Sequence, residues 1–211
     1  MSNRSLTIEQ KSFEIIDTEV GQHGYSQIEW NIVRRVIHST ADFDFARKNG
    51  IIFRNGPIKS ALLAIKRKCA IVTDVEMVLS GINKNSMKKL GIKASCHISE
   101  RSVVEDSMRM NKTRAQLAMR YASSEIHGGI VMVGNAPTSL LEVIKMVREN
   151  ASIPALIIGT PVGFVSASES KQDLLGLDVP IISNIGRKGG SAVASSIINA
   201  LMLIHINNSQ Q

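Results

Sequence analysis

The chain has 211 residues, 44% hydrophobic and 20% charged, enough for one globular domain with a sizeable core. Mean hydropathy is near zero and no apolar run approaches the ~20 residues of a membrane span, which excludes a transmembrane helix. The formal charge is +7, and the whole excess lies in residues 51–120, where fourteen basic side chains face five acidic ones. Such an excess is either a solvated lysine-rich face or the field that draws in an anionic partner. Aromatic residues are only 4% and are not interleaved with the basic run, which speaks against a nucleic-acid stacking platform. A polycarboxylate or phosphate ligand fits the charge as well. The start, MSNRSLTIEQKSFEII, lacks the uninterrupted apolar stretch of a signal peptide. Two cysteines, Cys69 and Cys96, form neither a disulfide framework nor a CxxC pair. A soluble, cytoplasmic protein is expected.

In chain order, a helix is expected over residues 8–20, with Thr7 as N-cap and Gln10 three residues on. A second begins near Ser26, with Glu29 at capping-box spacing and Ile28, Ile32, Val33, Val36 and Ile37 on one face. A third runs from Pro57, a suitable first-turn residue, to Lys68. CAIVT (69–73) reads as a short strand, with Cys69 packed in the core, and VEMVLSGI as a short helix stopped near Gly81. Residues 83–112 are polar and read as an irregular, mobile excursion with one strand at 94–98, followed by a helix over 113–125.

The C-terminal half alternates. GIVMVGN, PALIIGT and VPIISN read as strands; PTSLLEVIKMVREN, residues 166–175 and GSAVASSIINALMLIHI read as helices. These strands are apolar throughout, the mark of strands buried on both faces. The order predicts an α/β fold: a single domain over residues 1–211, with an open, mostly parallel sheet and helices on both faces. In such sheets, ligands bind beyond the carboxyl ends of the strands. There the chain carries GNAPT (134–138), GTPVGFVSASESK (159–171) and NIGRKGGS (184–191). Backbone N–H groups and helix N-termini in these turns could receive an anion.

Other chemistry is sparse. There is no GxGxxG, Walker A or GxSxG motif. None of the five histidines, at 23, 38, 97, 127 and 205, pairs with another at helical spacing, so no metal site is expected. His38 is the best candidate for chemistry. It lies four residues after Arg34, on the same helix face, and near a helix C-terminus, where the dipole favours imidazolium and suits a general acid. An ordinary helix-end histidine is the competing reading.

GNAPT, PVGFVSASESK and GRKGGS, in that order, resemble the precorrin-8X methylmutase family, also called cobalt-precorrin-8 methylmutase. The resemblance extends through NKTRAQLAM, TDVEMV, RRVIHSTADFDF and IEQKSFEII and covers almost the whole chain. It implies an isomerase of corrin ring assembly in cobalamin biosynthesis. Such an enzyme moves a methyl group from C-11 to C-12 of the macrocycle by a suprafacial [1,5]-sigmatropic shift and gives hydrogenobyrinate or its cobalt counterpart. It implies no cofactor, any cobalt being carried by the polycarboxylate tetrapyrrole substrate. His38 matches the catalytic histidine, which protonates the ring C nitrogen. Ser12, Thr113 and Arg114 match substrate-contacting positions. Asn135, Gly163, Arg187, Lys188, Gly189, Gly190 and Ser191 complete the expected binding set, with Arg187 and Lys188 as natural carboxylate partners. The family tends to be homodimeric with a shared cleft, and hand-over to other corrin-pathway enzymes is expected; nucleic acid and membrane are not. The chain departs from the family pattern with Thr73 in place of cysteine, Ala41 in place of glycine, and Lys112 between Asn111 and Thr113. The alternative is a basic binding module without catalysis, holding a tetrapyrrole, a phosphorylated ligand or RNA.

Overall fold

Strands that are apolar at every position need cover on both faces, and the computed structural model supplies it. It describes residues 3–209, with side chains from residue 7 onward. In chain order the elements are α1 (Asn3–Val20), α2 (Gln27–Thr40), a short 3-10 turn (Phe43–Ala46), β1 (Ile52–Arg54), α3 (Pro57–Lys66), β2 (Ile71–Thr73), α4 (Glu76–Gly81) and α5 (Lys84–Leu90). Then come β3 (Ala94–Cys96), α6 (Arg101–Met110), α7 (Arg114–Tyr121), α8 (Ser123–Ile126), β4 (Ile130–Val133), α9 (Pro137–Arg148), β5 (Leu156–Gly159), α10 (Ala167–Leu174), β6 (Ile181–Ser183) and α11 (Ser191–Asn208).

The six strands form one sheet in the order β1-β6-β5-β4-β2-β3. Only β1 is antiparallel, pairing Phe53 with Ile182 at one edge. Side chains alternate between two cores. Ile130 and Met132 of β4 meet α2, α3 and α11, while Val131 and Val133 meet α7, α8, α9 and α10. The expected single-domain, mostly parallel α/β sheet with helices on both faces is therefore present.

Several boundaries differ from the sequence reading. The α1 helix starts at Asn3, so Thr7 lies inside it and is not its cap. The Ser26–Glu29 capping box does open α2, but Ile28 is partly exposed and Trp30 takes its place on the buried face. The segment expected to be irregular is instead α5, β3 and α6. These helices are polar because they bury little, Val103 being the buried residue of α6. Asn83 caps α5 and Gly91 ends it in the left-handed conformation, a start and stop that composition alone concealed. The 113–125 helix is broken at Ala122 into α7 and α8. The β1 strand escaped the reading because three residues at an edge show no periodicity.

Candidate functional site

The five parallel strands β2 to β6 end on one edge of the sheet, which holds all three glycine-bearing turns. Two of these turns lead into helices whose first N–H groups have no side-chain cap: α10 behind Ser166 and α11 behind Gly190. Uncapped helix starts of this kind suit an anionic group. The third turn is already filled. Asp74, fully buried at the end of β2, accepts hydrogen bonds from the N–H groups of Gly134 (3.1 Å), Asn135 (2.8 Å) and Ala136 (2.7 Å). Burial pushes its carboxyl pKa up against the opposing effect of these donors. Asn135 thus contributes only its exposed side chain to the cleft.

His38 lies in the last turn of α2 and is exposed. The edge of its ring meets Phe13 of α1, with centroids 5.4 Å apart and planes at 67°. The Arg34 guanidinium covers the same phenyl ring at 4.4 Å and is held by Asp17 at 2.7 Å. Phe13 is thereby clamped beside the imidazole, and Ser12 adjoins it, with its hydroxyl donating to the Ile8 carbonyl at 2.9 Å. The helix stops at Ala41, which takes the left-handed conformation (φ 53°) and turns the chain toward Asp42 and Asp44.

Those two carboxylates meet Lys188. Its Nζ lies 2.9 and 2.7 Å from the Asp42 oxygens and 2.5 Å from Asp44 Oδ2. The pairing raises the Lys188 pKa and lowers that of Asp44. Lys188, expected from the sequence as a carboxylate partner, is thus paired with two carboxylates of the chain itself. It ties the end of the His38 helix to the turn after β6. Arg187 is exposed and lies over the Phe164 ring at 5.4 Å, while its carbonyl accepts from Gly163 N–H at 3.2 Å. Gly190 N–H donates to the Thr160 carbonyl at 2.8 Å. Gly189, at φ 150°, has no room for a side chain: a Cβ would sit 2.2 Å from the Thr160 oxygen. Ser191 opens α11 immediately beyond. A pocket of about 230 Å³ lies against this junction, lined by Asp44, Asn184, Ile185 and Lys188 among others.

Thr113 caps α7, accepting from Gln116 N–H at 3.1 Å, and its hydroxyl donates to Thr138 at 3.1 Å across the β4 turn. This contact sets Arg114, exposed at the first position of α7, beside the carboxyl edge despite the extra Lys112 before it. The expected residues therefore fall in two groups. Gly163 is bonded to the 187–191 turn through the Arg187 carbonyl, and Lys188 links that turn through Asp42 and Asp44 to the end of the helix carrying His38, with Ser12 next to the Phe13 that meets His38. Thr113, Arg114 and Asn135 stand around the β4 turn. Sequence reasoning missed Phe13, Asp74 and the acidic pair Asp42 and Asp44, although the last two are legible as an acidic run directly after the helix. It also missed Lys171, whose ammonium is fully buried and bonds the Lys188 carbonyl at 2.6 Å and Asn184 Oδ1 at 3.3 Å.

Much of the basic excess is not at this site. Lys66, Arg67 and Lys68 precede β2, and Lys88, Lys89 and Lys93 precede β3, so all six stand exposed at the amino edge of the sheet. Arg120 is used internally, between Glu142 and Glu149. Among the described residues, no cluster of histidine, cysteine and acidic side chains suits a metal ion, and no helix is long and apolar enough to cross a membrane.

Comparison with known proteins places the chain. A family model described as precorrin-8X methylmutase matches residues 7–204. The cobalt-precorrin-8 methylmutase of Leptospira interrogans is 46% identical, over 97% of this chain and 96% of that one. The precorrin-8X methylmutase of a Sinorhizobium species is 32% identical over 92% of each. The crystal structure of the Thermus thermophilus precorrin-8X methylmutase superposes with a TM-score of 0.88 at 37% identity, covering 96% of this chain and 97% of that one.

Proposed function

The chain belongs to the precorrin-8X methylmutase family, and on that premise we propose how its carboxyl-edge site performs the reaction. The enzyme is an isomerase of corrin biosynthesis. It takes a precorrin-8 tetrapyrrole and moves the methyl group from C-11 to C-12, with no atom gained or lost. Relatives as similar as 46% are named for the cobalt substrate, which favours the cobalt-bearing macrocycle here. The cobalt belongs to the substrate, and no cofactor is used.

The observation that carries this reading is the position of His38. It stands at a helix end, braced by Phe13, and is joined through Asp42 and Lys188 to the glycine-rich turn of the carboxyl edge. Its imidazolium protonates the ring C nitrogen, which withdraws electron density from the macrocycle and eases methyl migration; the proton returns to His38 once the shift is complete. Arg114 and Arg187 bind peripheral carboxylates, for which the guanidinium fork is suited. The uncapped N–H groups at the start of α11, from Ser191 onward, receive another, with Gly189 and Gly190 bordering it. Ser12, Thr113, Asn135 and Gly163 border the ring. Lys188 acts from behind this surface, holding the turn.

Phe164 is 83% exposed and Val165 82%. Side chains this apolar at the mouth of the cleft support a macrocycle face or a second subunit closing over it, in a homodimer. A cytoplasmic enzyme handing its product to later corrin-pathway enzymes completes the proposal.

The test is the absorbance spectrum of the protein mixed anaerobically with the pre-migration tetrapyrrole, since migration changes the conjugated system. The wild type is expected to convert it. His38→Ala is expected to bind it and convert it slower by about 10²–10⁴-fold, the range for loss of a general acid. Conversion by His38→Ala at the wild-type rate would refute the assignment.

A further inference from the structure

Lys171 is a fully buried lysine, and among the described residues no carboxylate lies within ion-pairing distance of its ammonium. An apolar side chain of similar length would fill that space at lower cost. What the ammonium adds is hydrogen bonding, and both bonds it makes reach the turn after β6. The Lys188 carbonyl accepts from Lys171 Nζ at 2.6 Å and from Asn184 Nδ2 at 2.7 Å, and Lys171 also reaches Asn184 Oδ1 at 3.3 Å. The peptide so anchored belongs to the residue whose side chain grips Asp42 and Asp44, just beyond the helix that carries His38.

We propose that Lys171 is a positioning residue for the methyl shift: it holds the 184–190 turn so that Lys188 stays clamped on Asp42 and Asp44 and the His38 helix end keeps its place at the cleft. The proposal rests on the methylmutase reading above. Lys171 does not touch substrate; it acts through the Lys188 peptide. The low pKa of its ammonium, brought to about 8 by burial, agrees with a cation kept there for its hydrogen bonds and not for an ion pair.

The experiment uses the full chain with two readouts, one independent of activity. Lys171→Met keeps length and apolar bulk; Lys171→Leu, which also removes the donors, replaces it if the first variant does not fold. Native-state trypsin cleavage after Arg187 and Lys188 reports whether the turn is held. It is expected to accelerate by about tenfold in Lys171→Met, tracking the open population. In the same preparations kcat is expected to fall by about ten- to a hundredfold, the loss typical of a misplaced catalytic group, with KM nearly unchanged. Unchanged cleavage would overturn the proposal. So would faster cleavage with a wild-type kcat, provided His38→Ala is inactive, since the turn would then be held without consequence for the reaction. If His38→Ala is itself fully active, the functional reading on which the proposal rests has failed, and the proposal falls with it.

Discussion

Lys171 shows how a single residue links burial to measurable behaviour. Its ammonium titrates near pH 8 in the fold, below the 10.5 of an ordinary lysine. Between those values the unfolded chain holds more protons than the folded one. Stability therefore rises with pH across that window. Lys171→Met removes the group from this linkage. In thermal unfolding, the wild type is expected to gain on the variant as pH goes from 8 toward 10.5; a constant difference would contradict a desolvated cation. Asp74 is a second buried charge of opposite purpose. Its carboxylate answers three backbone N–H groups at once, so Asp74→Ala leaves three donors unpaired. Each such loss costs about 1–3 kcal/mol, and a large drop in the denaturant midpoint is expected. His38 was legible as the one histidine at a helix end following a basic face. Lys171 and Asp74 were not, because their roles depend on backbone atoms 17 and about 60 residues away.

At the scale of elements, the joints carry the information. The α2 helix ends on Ala41 in the left-handed conformation, which a Cβ makes unfavourable by ~1 kcal/mol or more. Ala41→Gly is expected to raise stability by about 1 kcal/mol in chemical unfolding while leaving conversion intact. Gly189 is the reverse case. Added bulk would press on the Thr160 carbonyl, so Gly189→Ala is expected to loosen the turn and lower kcat, read in the absorbance assay. The helix start at Ser26 was written in its capping box. The α5 and α6 helices were hidden, since both bury few apolar residues and their stop signals, Gly91 and Asn111, resemble loop composition.

At the scale of the whole molecule, much of the basic charge stands at the edge of the sheet opposite the candidate site. The basic excess of residues 51–120 suggests a substrate-gathering surface when read along the chain. In the fold, Lys66, Arg67 and Lys68 stand at the amino edge, while the candidate site lies at the carboxyl edge. Replacing these three with glutamine is expected to leave the salt dependence of kcat/KM almost unchanged. Arg187→Gln is expected to weaken it, because attraction is strongest within a Debye length, about 8 Å at physiological ionic strength. Equal effects from both changes would mean that the long-range field outweighs local pairing.

The sequence by itself determined the sheet with its helices on both faces, since fully apolar strands and amphipathic helices admit few other packings. It also determined the family, through motifs that sit in the turns after three strands, and it singled out His38. Tertiary structure alone decided which groups remain available to a ligand. The N–H groups of the β4 turn are filled by Asp74, and Lys188 is spent on Asp42 and Asp44. Both outcomes come from contacts between residues far apart in the chain. A local pattern records that a donor is present, and only the packed fold records what has already accepted its hydrogen bond.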